Sequence, residues 1–356
     1  MTRERAVKYS IIIPCYKQET LIEQSLDSVL AQSVHDWEML CTDDGGPDKT
    51  GMVLDEYVRN HCQGILEYFI EQDGESKRIV EGTVAQGGVL KIIHQKNKGM
   101  SGARNAAKRL AQGEWFLNLD GDDLLSPYAL EVFERCIEAC PDADMLRCGF
   151  RRFADGTKPQ WREPDTSISI KSTNDMIDGR SAASAFQQMV YRRRVCEGFD
   201  VEGPAWSEER LYTAKCIMRV HKYVATAAEL YFYREHEGQF TRHGMTLSQC
   251  NGYLDTTREI LRLYFSSGRK VEPRTARGLF LNWIEWQPRS IMIYLPKEYR
   301  REAWNHWFES LGELRSYPIS CWMRLVISIC RLFPCVPIAL VLCYLPDWLK
   351  RKGLHR

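Results

Sequence analysis

The chain has 356 residues, 44% hydrophobic and 27% charged, a balance that calls for a packed globular core and excludes a disordered chain. Its 48 basic and 47 acidic residues leave a net charge of +1, so no overall field draws it to nucleic acid and any attraction for an anion has to be local. Thirteen cysteines without a Cys-x-x-Cys pair argue against structural zinc, and their apolar settings, such as Ile13-Pro14-Cys15, read as reduced thiols of a cytosolic protein.

Met1-Thr2-Arg3-Glu4-Arg5 leads straight into Tyr9-Ser10-Ile11-Ile12-Ile13-Pro14, with no apolar leader, so export is not expected. That run reads as a strand buried on both faces and stopped by proline. Thr20-Leu21-Ile22-Glu23 predicts a capping box opening a helix over 20–32, with Ile22, Leu26, Val29 and Leu30 on one face. A second strand over 37–42 is broken by Gly45-Gly46-Pro47, and 50–61 reads as helical. Strand, helix, strand, helix at this spacing predicts a parallel sheet with right-handed crossovers.

Residues 62–88 carry glycines at 64, 74, 82, 87 and 88 and predict the end of a helix followed by a hairpin. A strand over 89–94, a helix capped by Ser101 and running to 111, a strand over 115–119, a helix over 127–139 and a strand over 144–150 complete the first half. The pattern weakens over 151–202. Residues 208–220 predict a helix, and 223–226 and 230–234 two short strands. Beyond Gly244 the chain reads as helical and rich in tryptophan, with Trp283, Trp286, Trp304 and Trp307 more suited to core packing than to stacking on sugars. The expected organisation is an α/β domain over 1–240 with halves 9–150 and 151–240, a helical extension over 241–318 and an apolar, basic tail over 319–356.

Two acidic clusters stand where buried strands should end, which in an open α/β sheet is the ligand crevice. In Asp43-Asp44-Gly45, Asp44 can accept a hydrogen bond from a pyrimidine imide or a ribose hydroxyl, or it can simply make a turn. In Asp120-Gly121-Asp122-Asp123, the Asp-x-Asp spacing projects two carboxylates to one side, a pattern suited to Mg²⁺ or Mn²⁺ against a diphosphate. Asp122 or Asp123 could instead cap the next helix. Asn97-Lys98-Gly99-Met100-Ser101-Gly102-Ala103-Arg104-Asn105 offers amides and two cations to an anion, or an ordinary turn before a helix. Glu208-Glu209 either favours a helix dipole or supplies a general base, and His236 is a metal or phosphate ligand or a plain structural histidine.

Ile11-Ile12-Ile13-Pro14-Cys15-Tyr16, Asp43-Asp44-Gly45, Asn97-Lys98-Gly99 with Ala103-Arg104-Asn105, and Leu119-Asp120-Gly121-Asp122-Asp123 occur in an order that resembles family 2 glycosyltransferases of the GT-A fold. The resemblance covers 9–150 and continues more loosely over 206–241. It implies a Rossmann-like mixed sheet with flanking helices. Pro14, Tyr16 and Glu19 would line a nucleotide pocket, Asp44 and Asn97 would contact the base, usually uracil, and Lys98 and Gly99 would flank it. Arg104 would hold the site together, Asp120 and Gly121 would lie near the ribose or sugar, and Asp122 would bind Mn²⁺ or Mg²⁺. Glu208-Glu209-Arg210-Leu211-Tyr212 is similar to the family's Glu-Asp-x-x-Phe segment, which puts Glu209 in the place of the base, with Glu208 as the alternative. Tyr233-Arg234-x-His236 followed by Thr241 resembles the segment that closes over the diphosphate, with His236 as a second metal ligand.

The resemblance thus implies an inverting, metal-dependent transfer from a nucleotide sugar, in which the metal and the helix terminus at Ser101 would stabilise the leaving diphosphate. Gly46-Pro47 in place of Ser-Thr departs from the pattern. The absence of a Gln-x-x-Arg-Trp run points away from processive synthases and toward a single transfer, expected in bacterial surface-glycan synthesis. Two rivals are a nucleotidyltransferase, disfavoured because Cys15-Tyr16-Lys17-Gln18-Glu19 lacks glycine, and a catalytically impaired nucleotide-sugar binder. The apolar run 332–346, with three prolines and a following Lys350-Arg351-Lys352, is short for a spanning helix. It predicts either peripheral association with the inner face of the cytoplasmic membrane, where a lipid-linked saccharide acceptor would reside, or a core hairpin.

Overall fold

Strand β1 (Tyr9–Cys15) is buried along its whole length, as its run of isoleucines requires. It pairs in parallel with β2 (Trp37–Asp43) on one side and β6 (Trp115–Asn118) on the other. The structure is a computed structural model that describes residues 7–165, 167–173, 176–177, 186–203, 207–239, 244–281, 287–317 and 321–332. Pro14 does not stop β1. The pairing with β6 ends at Ile12, so the residue without an N–H falls where one side of the strand has lost its neighbour.

The helices between these strands are α1 (Ile22–Leu30), α2 (Thr50–His61), α3 (Gly99–Leu110) and α4 (Ala129–Ala139). The capping box expected at Thr20 does not form. The amides of Leu21 and Ile22 bond to the Gln18 carbonyl, both at 3.0 Å, so the turn is closed by backbone and α1 starts at Ile22 without a side-chain cap. Ser101 is likewise not a cap. It lies in the first turn of α3, whose leading amide, on Gly99, donates to Asn97 Oδ1 at 3.2 Å.

Residues 62–84 hold no helix end. They form strands β3 (Cys62–Gln72) and β4 (Glu75–Val84), joined at Asp73-Gly74 with φ of +57° and +73°. An Asp-Gly pair with both φ positive is the tight turn that matches strand twist, and it was the legible signal in this stretch. β4 runs antiparallel to β5 (Val89–His94), which is parallel to β2.

The far side of the sheet is built from β7 (Leu124–Leu125), β8 (Met145–Ala154), β9 (Ile168–Ser172), β11 (Met189–Arg192) and β12 (Lys222–Glu235), with β10 (Met176–Ile177) standing apart. The order is β3-β4-β5-β2-β1-β6-β11-β8-β12-β7, with β9 on β12. β11 is antiparallel to both β6 and β8, so the sheet is mixed. β12 is one strand of 14 residues where two short ones were expected, because register shifts around Glu229 let it bend without breaking. Trp37, Trp115, Leu117, Leu54 and Phe133 belong to the core cluster around this sheet.

The chain divides into two units. One holds the described residues within 1–174, 184–202 and 219–237; the other holds those within 175–183, 203–218 and 238–356. The second is mainly helical. After the short α5 (Arg193–Cys196) of the first unit come α6 (Glu208–Ile217), α7 (Leu247–Ser266), α8 (Pro273–Leu281), α9 (Gln287–Tyr294), α10 (Arg300–Ser310) and α11 (Cys321–Leu332), with β13 (Lys270–Val271) pairing with β10. Here a capping box is real: Thr246 Oγ1 accepts from the Gln249 amide at 3.2 Å, and the Gln249 side chain accepts from the Thr246 amide at 2.8 Å. Trp304 and Trp307 are buried and meet edge to face at 5.4 Å, so these two tryptophans serve packing. Trp283, Trp286 and the tail beyond Leu332 lie outside the described residues. Among those described, no helix is long and apolar enough to cross a membrane. All the described cysteines are free thiols, and only Cys321 is exposed.

Candidate active site

β5, β2, β1 and β6 run in parallel, so their carboxyl ends share one edge of the sheet. Asp43 sits opposite Cys15 and His94 in register, and Asp120 follows two residues after β6. The loop leaving β1, Tyr16 to Glu19, contacts both acidic clusters. A Cβ on Gly46 would lie 3.3 Å from Lys17 N and 3.5 Å from the Tyr16 ring. A Cβ on Gly121 would lie 2.2 Å from Gln18 Oε1. Gly46, beside the first cluster, and Gly121, within the second, thus pack against the same short loop.

In the first cluster Asp44 is 2% exposed. Its Oδ1 accepts from Gln95 Nε2 at 2.7 Å and from the Lys98 amide at 2.8 Å. Burial pushes its pKa up, and the bonds from Gln95, Lys98 and Gly99 work against that rise. Asp43 turns the other way: Oδ2 meets His94 Nδ1 at 2.9 Å, and His94 Nε2 reaches Asp55 Oδ1 at 2.8 Å. Arg78 also meets Asp55 and Glu67, so this is a structural charge network between α2 and the sheet. Burial works against the His94 charge, but its bonds to Asp43 and Asp55 outweigh it and the pKa is raised.

In the second cluster the three aspartates have separate environments. Asp120 Oδ1 accepts from Arg104 NH2 at 2.7 Å and Oδ2 from Gln187 Nε2 at 2.9 Å. Arg104 is 1% exposed and lies over the Phe186 ring at 5.2 Å. Asp123 is buried, with Oδ2 accepting from Tyr231 OH at 2.6 Å and Oδ1 from the Arg234 amide at 2.8 Å. Burial, then the neighbouring Asp122 and Asp120 charges, push its pKa well up. Neither Asp122 nor Asp123 caps α4, whose N-cap is Tyr128 without a side-chain bond, so the capping alternative is set aside. Arg234 completes the loop's frame: its guanidinium donates to Asp122 O at 2.7 Å, Asp155 Oδ1 at 2.9 Å and Gln24 Oε1 at 3.0 Å. Ser25 Oγ, on α1, reaches the carbonyls of Gly121 and Asp123 at 2.8 and 2.6 Å.

Asp122 keeps 23% of its side chain exposed, and its Oδ2 lies 3.0 Å from His236 Nε2. Two ligands each about 2.1 Å from an octahedral cation and at right angles stand about 3 Å apart, so this pair fits a Mn²⁺ or Mg²⁺ ion. Among the described residues no group of three or more His, Cys, Asp or Glu side chains is poised for a metal. A two-residue protein share suits an ion whose other ligands are diphosphate oxygens and water.

The remaining predicted residues occupy distinct places. Pro14 is buried inside β1, and Tyr16 is 43% exposed just past its end. Glu19 accepts from the Lys49 amide at 2.9 Å, while Asp48 accepts from the Glu19 amide at 3.2 Å and Thr50 Oγ1 from the Gln18 amide at 2.8 Å; this ties the β1 loop to the start of α2. Lys98 Nζ lies 3.4 Å from Glu75 on β4. Asn97 Oδ1 accepts from the Gly99 amide at 3.2 Å, just ahead of α3, whose N-cap is Lys98. In the second unit Glu208 is 4% exposed and its Oε2 accepts from the Ser207 amide at 3.1 Å, whereas Glu209 is half-buried. Thr241 lies outside the described residues. Sequence reasoning missed Ser25, Gln95, Gln187 and Tyr231. Gln95 and Tyr231 each stood two residues before a recognised segment; Gln187 falls in the stretch where no pattern was readable.

A profile described as "Glycosyl transferase family 2" matches residues 10–74 and 64–199, more than half of the chain. The chain belongs to glycosyltransferase family 2. Membership favours sugar transfer over nucleotidyl transfer as the family's chemistry. Among relatives, the uncharacterised glycosyltransferase EpsJ of Bacillus subtilis is 24% identical over 65% of this chain, and the poly(ribitol-phosphate) beta-glucosyltransferase of Bacillus spizizenii is 23% identical over 64%. The chain spans 62% and 32% of those two relatives' own lengths. The crystal structure of Staphylococcus aureus TarS 1-349 in complex with UDP superposes with a TM-score of 0.65 at 16% identity, covering 97% of this chain and 92% of that one; the same protein with UDP-GlcNAc gives 0.65 at 18%. The mixed sheet with flanking helices is therefore the GT-A fold of this family.

Proposed function

We propose that the chain is an inverting, metal-dependent, non-processive glycosyltransferase. It would move a sugar from a nucleotide donor, UDP-linked, to a hydroxyl of a saccharide or lipid-linked saccharide acceptor in bacterial surface-glycan synthesis. The observation that carries this reading is the closure of both acidic clusters on the one Tyr16–Glu19 loop at the carboxyl edge of the parallel strands. UDP is chosen because the TarS chain that shares this fold is seen with UDP and UDP-GlcNAc. The glycan setting follows the poly(ribitol-phosphate) beta-glucosyltransferase among the relatives.

In this reading Asp44 accepts the imide N–H of the base, helped by the frame of Gln95 and Lys98 around it. Asp120, fixed at both carboxylate oxygens by Arg104 and Gln187, orients the ribose or sugar. Asp122 and His236 would hold the divalent ion, which when bound neutralises charge on the leaving diphosphate. Glu209 takes the proton of the acceptor hydroxyl as its oxygen bonds the anomeric carbon and the bond from that carbon to the diphosphate oxygen breaks on the opposite face. One such displacement inverts the anomeric configuration. Glu208 is the weaker candidate for base because it is buried and bonded to its own helix start.

The test is a screen of nucleotide sugars read by UDP release with Mn²⁺ or Mg²⁺ over a panel of saccharide acceptors. Acceptor-dependent release supports transfer. Tight UDP binding without turnover across the panel would favour a binding protein without catalysis.

A further inference from the structure

The hairpin β3–β4 buries a lysine two hydrogen bonds away from Asp44. Lys77, on β4, is completely buried. Its ammonium donates to Gln72 Oε1 at 2.6 Å and to Gln95 Oε1 at 2.9 Å, with Asp73 Oδ2 at 3.5 Å. Gln95 is itself buried and passes its Nε2 to Asp44 Oδ1 at 2.7 Å. An ammonium group has three donors and no acceptor, so it can face only the oxygen of the Gln95 amide. That orientation obliges the NH₂ of Gln95 to face Asp44. Without Lys77 the buried Gln95 Oε1 would lose its donor, and the amide would be held at its Asp44 end alone.

Two more links run from the same hairpin to the same region: Glu75 Oε1 lies 3.4 Å from Lys98 Nζ, and Asp73 Oδ2 accepts from Arg109 NH1 on α3 at 2.8 Å. The hairpin is thus bound to the segment that carries Asp44's other donor, the Lys98 amide.

We propose that Lys77 is the positioning residue for base selection: through Gln95 it holds Asp44 as an acceptor aimed at a base bearing an imide N–H, which selects uracil over cytosine. This rests on Asp44 receiving the base. Cytosine presents a lone pair where uracil presents N3–H, so a fixed acceptor repels it, and a buried acceptor left unmatched costs more than a lost contact in water.

The experiment is a titration of UDP and of CDP into the full chain with Mn²⁺, comparing wild type with Lys77→Met and Gln95→Leu. The readout is the ratio of the two affinities within each protein, which cancels any loss of folded fraction. Wild type should prefer UDP, and each variant should narrow that preference by about tenfold, with the double variant no worse than either single one. Lys77→Leu, which likewise brings no donor to Gln95 Oε1, serves in place of methionine if that variant fails to fold. If wild type prefers UDP and the Lys77 variants keep the full preference, the inference is overturned while the reading of Asp44 survives. If wild type binds UDP and CDP alike, the reading of Asp44 itself fails and the role of Lys77 with it.

Discussion

The two acidic clusters look alike in sequence and differ in how the fold uses them. At the first, both carboxylates are largely committed to the protein: Asp43 to His94, and Asp44, 2% exposed, to Gln95 and Lys98. At the second, the buried Asp123 serves as scaffold, Asp120 is gripped on both oxygens, and Asp122 keeps exposed surface on a carboxylate that meets His236. A buried carboxylate with fixed donors suits recognition of one directional partner. An accessible carboxylate beside an imidazole suits a cation and the anion it carries. The chemistry of the site, in this account, comes from that contrast.

The contrast is broken most severely at Asp122. Asp122→Ala should lower metal-dependent transfer by at least about 100-fold, measured as UDP release, while UDP binding in EDTA stays unchanged. Full activity of this variant would remove the metal assignment. Glu209→Gln should reduce kcat by about 100-fold or more and spare UDP affinity, whereas Glu208→Gln should act mainly on stability. The reverse outcome would move the base by one residue. Tyr231→Phe sharpens the scaffold side, since it deprives the buried Asp123 of the donor on Oδ2. Urea denaturation should show a loss of about 1–3 kcal/mol, and an unchanged midpoint would deny Asp123 its framing role.

The smallest effect concerns the structural acid of the first cluster. The folded-state pKa of His94 is raised, so its contribution to stability is complete below the unfolded value near pH 6.5 and fades as pH rises through the higher folded value. Denaturation midpoints measured from about pH 6 to 9 should therefore decline in wild type and flatten in His94→Gln. Equal slopes in the two proteins would show that the Asp43–His94–Asp55 network is not what titrates.

The parallel half of the fold was legible because its signals are local. A run of isoleucines gives a doubly buried strand, and Asp-Gly pairs at strand ends mark the crevice. The misplaced caps at Thr20 and Ser101 show the limit of such signals: in both places backbone geometry and neighbouring loops settled the turn before a hydroxyl could. The far half was read only in part: strands were expected at 144–150, 223–226 and 230–234, and the strand that links β6 to β8 was not. β11 owes its place to antiparallel pairing between β6 and β8, and nothing in Met189–Arg192 announces those partners. Of the site, the carboxylates were readable and their framing was not. Gln187 and Tyr231 reach Asp120 and Asp123 across separations of 67 and 108 residues, and no spacing rule encodes such contacts.

The central claim is that Asp44 and Asp122 serve one bound nucleotide. The most direct measurement is the calorimetric titration of UDP, with and without Mn²⁺, into wild type, Asp44→Asn and Asp122→Asn. The account predicts that Mn²⁺ tightens UDP binding in wild type, that Asp44→Asn weakens binding in both conditions, and that Asp122→Asn removes only the gain from the metal. UDP binding that is insensitive to Asp44→Asn, or a Mn²⁺ gain that survives Asp122→Asn, would contradict it.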